Sequence, residues 1–180
     1  TASKGDYTGK VTVPTLWDKQ TSRVVNNESS EIIRMFNTSF DAFTNAAEDY
    51  YPADLRAEID AINDVIYPTI NNGVYRAGFA SSQEAYEEAV VAMFETLDDL
   101  EKRLGTQRYL VGDRLTEADW RLWVTLIRFD ACYVGAFKCN IRRIADYPNL
   151  TNYTRELYQI PGIAQTFSFE YAKLNYYGIE

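Results

Sequence analysis

The sequence contains no histidine and only two cysteines among its 180 residues. Without histidine, a Ser-His-Asp triad or a Cys-His pair cannot form, so those modes of nucleophilic catalysis are excluded. A zinc site would have to combine two cysteines with carboxylates, and we expect no metal site. If one helix carried both Cys132 and Cys139, they would lie two turns apart, about 10 Å, which is too far for a disulfide. We expect both to be buried.

Basic residues are also scarce. Eighteen Lys and Arg face 26 Asp and Glu, which gives a formal net charge of -8. This charge repels phosphate backbones, so we expect no nucleic-acid partner. No apolar run is long enough to span a bilayer and the first residues lack the core of a signal peptide, so we expect no membrane partner and a cytoplasmic protein.

A proline interrupts a strand-like segment near the start of the chain. Residues 11–17 alternate apolar and polar side chains, which predicts a short strand, yet Pro14 cannot donate to a β-ladder. A cis Val13–Pro14 bond would turn the Val13 backbone outward and offer its N–H and C=O groups to an extended ligand. The alternative is an ordinary trans proline at a strand end, and Pro14 alone does not decide between the two.

The next segment predicts a strand, a turn and the start of a helix. Val24 and Val25 favour the strand, and Glu28 and Ser29 precede an amphipathic run. The amides and positive dipole end at a helix N-terminus bind a carboxylate, and Glu28 could hold an ammonium. Both groups on one carbon define an amino acid, such as the γ-glutamyl end of glutathione. The alternative is that Ser29 or Ser30 only caps the helix.

The remainder of the chain is typical of a helical domain. Tyr67-Pro68 bends the first helical run, Ser82 can cap the second, and Gly105 can end it. Thr116 and Asp119 have the spacing of a capping box at the start of a helix that is apolar nearly all round, which indicates burial. Helical periodicity is found over residues 55–66, 82–104, 116–129, 150–158 and 163–177.

Several segments resemble the glutathionyl-hydroquinone reductases, which are also called xi-class glutathione transferases. The likeness covers nearly the whole chain. The segments that carry it are 13–18 (VPTLWD), 26–37 (NNESSEIIRMFN), 71–80 (NNGVYRAGFA), 129–130 (FD) and 137–140 (FKCN).

The resemblance implies a mainly α fold. An all-helical glutathione transferase C-terminal domain, residues 53–180, would follow a partial thioredoxin-like α/β remnant of two strands and a helix, residues 1–37. Residues 38–52 would be the linker. Family members carry a nucleophilic cysteine in a Cys-Pro-Trp motif, which this sequence lacks, so the resemblance also implies a fragment without the N-terminal half of the thioredoxin-like domain.

The resemblance further implies a reaction and a set of site residues. Glutathione, as substrate, would be held by the backbone of Val13 and by Glu28 and Ser29. Two tyrosines of the helical domain would hold the aromatic quinol conjugate, and we assign them to Tyr67 and Tyr176, with Tyr75 and Tyr177 as the nearest competitors. The missing cysteine would take the glutathionyl group and release the hydroquinone. We expect the isolated fragment to be inactive and the family member to be a homodimer.

Two other functions remain open at the level of sequence. A glutathione-transferase-like module without catalysis could serve as a binding or assembly domain, because a fold does not by itself imply an activity. An ordinary glutathione-conjugating transferase would share the glutathione site but would need an activating Tyr or Ser that is not identified here.

Overall fold

The computed structural model describes residues 13–44 and 48–178, and the chain divides into two compact units, Thr1–Tyr51 and Pro52–Glu180. The first two residues of the predicted strand over 11–17 lie outside the described residues. Among the residues that the model describes, no helix is long and apolar enough to cross a membrane.

The first unit contains a two-stranded antiparallel sheet followed by a helix. Strand β1 (Leu16–Asp18) pairs with β2 (Arg23–Asn26), and helix α1 (Ser29–Thr38) follows. Of the strand predicted over 11–17, residues 13–15 are not in a strand, and β1 begins at Leu16, after Pro14, which cannot donate to the ladder. The β2 strand and the start of α1 were correctly predicted.

The turn between the strands is held by one carboxylate. Asp18 accepts hydrogen bonds from the Gln20 amide at 2.8 Å and from the Thr21 hydroxyl at 2.6 Å. These bonds favour the charged form, so the pKa of Asp18 is lowered, chiefly by the Thr21 hydroxyl. A short 3₁₀ turn, Asp41–Phe43, lies after α1.

The second unit is helical. Its α-helices are α2 (Arg56–Ile66), α3 (Gly73–Gly78), α4 (Gln83–Leu104), α5 (Glu117–Arg128), α6 (Val134–Ala136), α7 (Pro148–Gln159) and α8 (Phe169–Tyr177). Two 3₁₀ turns, Ile144–Asp146 and Ala164–Thr166, and two π-helical turns, Tyr67–Asn71 and Phe129–Tyr133, complete it.

Helix α5 lies in the core of this unit. It packs against α2 and α7, while α4 packs against α3 and α7. Burial of these apolar faces is the main favourable contribution to the stability of the unit. Core side chains that are almost completely buried include Ile59, Met93, Leu97, Leu122, Phe129, Leu150 and Leu157.

The predicted helix boundaries of the second unit are confirmed where capping residues set them. The Ser82 hydroxyl accepts the Ala85 amide at 3.2 Å at the start of α4, and Gly105 is its C-cap. At α5 the predicted capping box is present, with the Thr116 amide donating to Asp119 Oδ2 at 2.8 Å.

The two π-helical turns differ in how well the sequence indicated them. The bend predicted at Tyr67-Pro68 is the start of the first turn. The second turn was not predicted, and after α6 the helix stops at Ala136, so the assumption of one helix through both cysteines was wrong. Cys132 and Cys139 are nevertheless both buried and free, as expected.

Candidate functional site

In the first unit, Val13 precedes strand β1, and Glu28 and Ser29 lie at the start of α1. The Val13–Pro14 bond is cis, and Val13 is 91% exposed. The alternative of a trans proline is therefore excluded. The Val13 residue precedes the β-ladder and does not take part in it.

The start of α1 is arranged differently from the capping alternative. Glu28, and neither serine, occupies the N-cap position, and its side chain makes no capping hydrogen bond. Ser29 and Ser30 are the first two residues of the helix, so the proposal that one of them caps it was wrong. The first amides of a helix have no acceptor within it and are available to an anion.

An asparagine orients this helix start. The Asn26 side-chain oxygen accepts the Glu28 amide at 2.7 Å, and the Asn26 side-chain nitrogen donates to the Glu31 carboxylate. Asn26 ends strand β2, so it joins the strand to the first turn of α1. Sequence reasoning gave Asn26 no role, although Asn is a frequent partner of backbone amides in turns.

The second unit brings three tyrosine hydroxyls together. Tyr176 on α8 lies 2.7 Å from Tyr75 on α3 and 3.1 Å from Tyr133 in the second π-helical turn, measured between hydroxyl oxygens. Two predicted residues, Tyr176 and its competitor Tyr75, are therefore direct neighbours. We call Tyr75, Tyr133 and Tyr176 the tyrosine cluster.

Aromatic rings surround the tyrosine cluster. The Phe137 ring lies 5.3 Å from that of Tyr75, 5.6 Å from that of Tyr133 and 5.4 Å from that of Tyr176, as centroid distances. Phe79 packs on Phe137 at 5.2 Å. Such tilted and stacked pairs form an apolar wall that suits an aromatic ligand, beside hydroxyls that suit its oxygens.

Burial raises the pKa of two of these hydroxyls. It raises the pKa of Tyr176 to about 12 and raises that of Tyr133 further still. Hydrogen bonding between the hydroxyls adds to the increase at Tyr133. At neutral pH these two residues are therefore hydrogen-bond donors and acceptors rather than bases.

Tyr67 and Tyr177 do not join the tyrosine cluster through any hydrogen bond that the structure describes. Tyr67 begins the first π-helical turn and is 55% exposed. The Tyr177 hydroxyl donates to the Cys132 carbonyl at 2.9 Å. Tyr133 was missed by sequence reasoning; the signal that could have found it is its place in the apolar series Phe129, Tyr133, Phe137, at intervals of four residues.

The two cysteines are poor nucleophiles. Burial raises the pKa of Cys132 and raises that of Cys139 to about 12, so neither is a thiolate at neutral pH. In the described parts of the chain, no three or more Asp, Glu or Cys side chains are grouped so that they could hold a metal ion.

Comparison with known proteins shows which proteins this chain is similar to. Residues 83–156 match the model of the glutathione S-transferase C-terminal domain. The glutathionyl-hydroquinone reductase YqjG of Escherichia coli K12 is 58% identical over 171 residues, which are 95% of this chain and 52% of that protein. The reductase PcpF of Sphingobium chlorophenolicum is 57% identical over 178 residues, with 99% and 57% covered. The chain spans about half the length of these curated relatives.

Solved structures show the same similarity as the sequences. The glutathione-bound structure of Escherichia coli YqjG has a TM-score of 0.94 and 57% identity, covering 96% of this chain and 56% of that one. The xi-class glutathione transferase of Phanerochaete chrysosporium has a TM-score of 0.93 and 56% identity, covering 97% and 60%. The predicted fold class, a glutathione transferase helical domain preceded by two strands and a helix, is confirmed. Over nearly its whole length this chain is homologous to the xi-class glutathione transferases.

Proposed function

We propose that the protein reduces glutathionyl-hydroquinones to hydroquinones at the expense of glutathione. The observation that carries the proposal is the tyrosine cluster, in which three tyrosine hydroxyls lie together beside the Phe137 ring. A hydroquinone has the same two features, a flat ring and phenolic oxygens, so the cluster offers it both ring contacts and hydrogen bonds. The names of the relatives favour this reaction over simple conjugation or a non-catalytic role.

The first unit supplies the contacts for the glutathionyl part of the substrate. The Val13 backbone would hold the cysteinyl residue, as an edge strand holds a peptide. The amide end of α1 at Ser29 would hold the γ-glutamyl carboxylate, and Glu28 would hold the ammonium. Glutathione bound to Escherichia coli YqjG, a relative at 57% identity, supports glutathione as the ligand.

The reaction needs a thiolate from outside this chain, since Cys132 and Cys139 are buried and protonated. That thiolate would attack the sulfur of the conjugate. The carbon–sulfur bond would break, the ring carbon would take a proton, and the hydroquinone would leave. The resulting mixed disulfide would be opened by a second glutathione, which leaves as glutathione disulfide. We therefore expect the 180-residue chain alone to show no reductase activity.

Substitution of the tyrosines in the complete protein tests this function. Tyr176→Phe should lower turnover substantially, because it removes the hydroxyl that joins Tyr75 to Tyr133. Tyr67→Phe tests the second predicted quinol contact, and Tyr75→Phe tests its competitor. Tyr171→Phe is the matched control, since Tyr171 lies on the same helix and is 76% exposed. Steady-state kinetics with a glutathionyl-hydroquinone measure these effects. Unchanged kinetics of Tyr176→Phe would refute the role of the tyrosine cluster in holding the quinol.

A homodimer and a cytoplasmic location are further parts of the proposal. The homodimer follows from the family resemblance and the location from the sequence pattern, and neither depends on the geometry of the site. Light scattering on the purified complete protein measures the oligomer, and fractionation of cells measures the location. A monomer at micromolar concentration would contradict the first part without affecting the proposed reaction.

A further inference from the structure

Helix α8 carries Tyr176 of the tyrosine cluster but has no buried side chain. None of the residues in Phe169–Tyr177 is buried, and Leu174 and Tyr171 are mostly exposed. A helix of this length is only marginally stable in water by itself. Its position must therefore depend on a small number of specific contacts.

The hydrogen bonds that the structure describes between side chains of α8 and other helical elements are made by two adjacent tyrosines. The Tyr176 hydroxyl contacts those of Tyr75 and Tyr133. The Tyr177 hydroxyl contacts the backbone at Cys132 and Ala136. The Tyr177 hydroxyl donates to the Cys132 carbonyl at 2.9 Å and accepts the Ala136 amide at 3.3 Å. One hydroxyl thus joins the end of α8 both to the π-helical turn that contains Tyr133 and to helix α6.

A glycine makes room for this contact. A Cβ atom placed on Gly135 would lie 2.4 Å from the Tyr177 hydroxyl oxygen and 3.2 Å from its Cζ atom. A methyl group at this position would therefore displace the hydroxyl from its two backbone partners. Gly135 is exposed, so the same methyl group would not disturb the core.

We propose that Tyr177 is a positioning residue, whose hydroxyl fixes the end of α8 on residues 132–136 so that the Tyr176 hydroxyl lies between those of Tyr75 and Tyr133. The inference rests on the proposed function in one respect: it takes Tyr176 as a quinol contact. The two tyrosines are consecutive, so a shift of the last turn of α8 moves both hydroxyls. The distances of 2.7 and 3.1 Å in the cluster leave little room for such a shift before the hydrogen bonds break.

The test uses two variants that remove the contact in different ways, made in the complete protein. Tyr177→Phe deletes the hydroxyl, and Gly135→Ala keeps it but displaces it. Tyr171→Phe is the control on the same helix. Because the two changes act on one contact, adding Gly135→Ala to Tyr177→Phe should have much less effect than Gly135→Ala alone.

The first measurement needs no substrate. A fluorotyrosine is placed at position 176, and its ¹⁹F resonance is compared among the variants. We expect the chemical shift of this resonance to change in Tyr177→Phe and in Gly135→Ala, and to be unchanged in Tyr171→Phe. A Tyr176 resonance that is unchanged in both variants would overturn the proposal, whatever the protein's activity proves to be.

The second measurement is kinetic. Loss of one or two hydrogen bonds should lower turnover, as is expected for Tyr176→Phe, and raise KM for a glutathionyl-hydroquinone by about 2- to 10-fold, with an unchanged KM for glutathione. Equal effects on the two KM values would indicate general destabilisation and overturn the proposal. If the wild-type protein reduces no glutathionyl-hydroquinone, the proposed function fails, and the ¹⁹F comparison still decides whether Tyr177 positions Tyr176.

Discussion

The two units of the chain present their candidate residues in opposite ways. In the described part of the first unit, Ile32 is the one buried residue, whereas the second unit has an extensive core around α5. Exposed apolar residues of the first unit are Val13, Val24, Val25, Ile33, Phe36, Phe40 and Phe43. The first unit offers backbone groups and helix ends, while the second offers side chains that a packed core holds in place.

The start of α1 also differs from the starts of two helices in the second unit. Helices α4 and α5 begin with side chains that satisfy their first amides, from Ser82 and from the Thr116–Asp119 capping box. Helix α1 begins with Glu28 at its N-cap and no capping bond from that side chain. Helices α2, α3 and α7 of the second unit also start without a side-chain capping bond, so the missing cap at α1 leaves its amides available to the proposed ligand but does not by itself mark a site.

The largest expected effect lies in the core of the second unit. Leu122→Ala should lower the free energy of unfolding by about 2–5 kcal/mol, because it leaves a cavity at a fully buried position. Val25→Ala, at a residue that is 52% exposed in the first unit, should change it by less than about 0.5 kcal/mol. Urea unfolding of the chain measures both. Similar losses for the two variants would contradict the contrast between the units.

A second pair of variants compares two aspartates whose carboxylates each accept several hydrogen bonds. Asp119 accepts from the amides of Leu110 and Thr116 at 2.9 and 2.8 Å and from the Tyr153 hydroxyl at 2.9 Å, all in the core. Asp119→Ala leaves these buried donors without an acceptor and should destabilise the chain by about 3 kcal/mol. The donors to Asp18 are exposed to water in the first unit, so Asp18→Ala should have a much smaller effect in the same unfolding experiment.

A third pair of variants compares two serines at helix starts. Ser82→Ala removes the cap of α4 and should cost about 1 kcal/mol, with no change in glutathione affinity. Ser29→Ala removes no cap and should change stability by less than about 0.5 kcal/mol, but it should weaken glutathione binding to the complete protein. Chemical unfolding and calorimetric titration with glutathione measure the two properties. A loss of stability at Ser29 that matches the loss at Ser82 would contradict the contrast between these two helix starts.

The smallest expected effect on the free energy of unfolding appears only at alkaline pH. Burial raises the pKa of Tyr176 from 10.0 to about 12 in the folded chain. Its stabilising contribution is therefore complete below pH 10 and is lost as the pH rises from 10 through about 12, where the unfolded chain has released a proton that the folded chain retains. Unfolding measured from pH 9 to 11 should show this decline begin, and Tyr176→Phe should make it shallower. The same slope in both proteins would show that Tyr176 titrates normally.

Much of the second unit could be predicted because local rules agree with one another there. Helical periodicity, the Ser82 cap, Gly105 and the Thr116–Asp119 pair all specify the same boundaries, and the structure confirms them. The predictions that failed depend on context. The extent of β1 depends on which residues pair with β2, and the second π-helical turn has no proline or glycine to mark it.

The sequence by itself determined the helical class of the second unit, its capped helix starts, the burial of both cysteines and the resemblance to xi-class glutathione transferases. These properties reside in neighbouring residues or in composition, so they can be read without coordinates. The tertiary structure alone decided that Tyr75, Tyr133 and Tyr176 share one cluster and that Tyr177 lies against Gly135. Tyr75 and Tyr176 are far apart along the chain, and only the packing of α3, α8 and the turn between α5 and α6 brings their hydroxyls into contact.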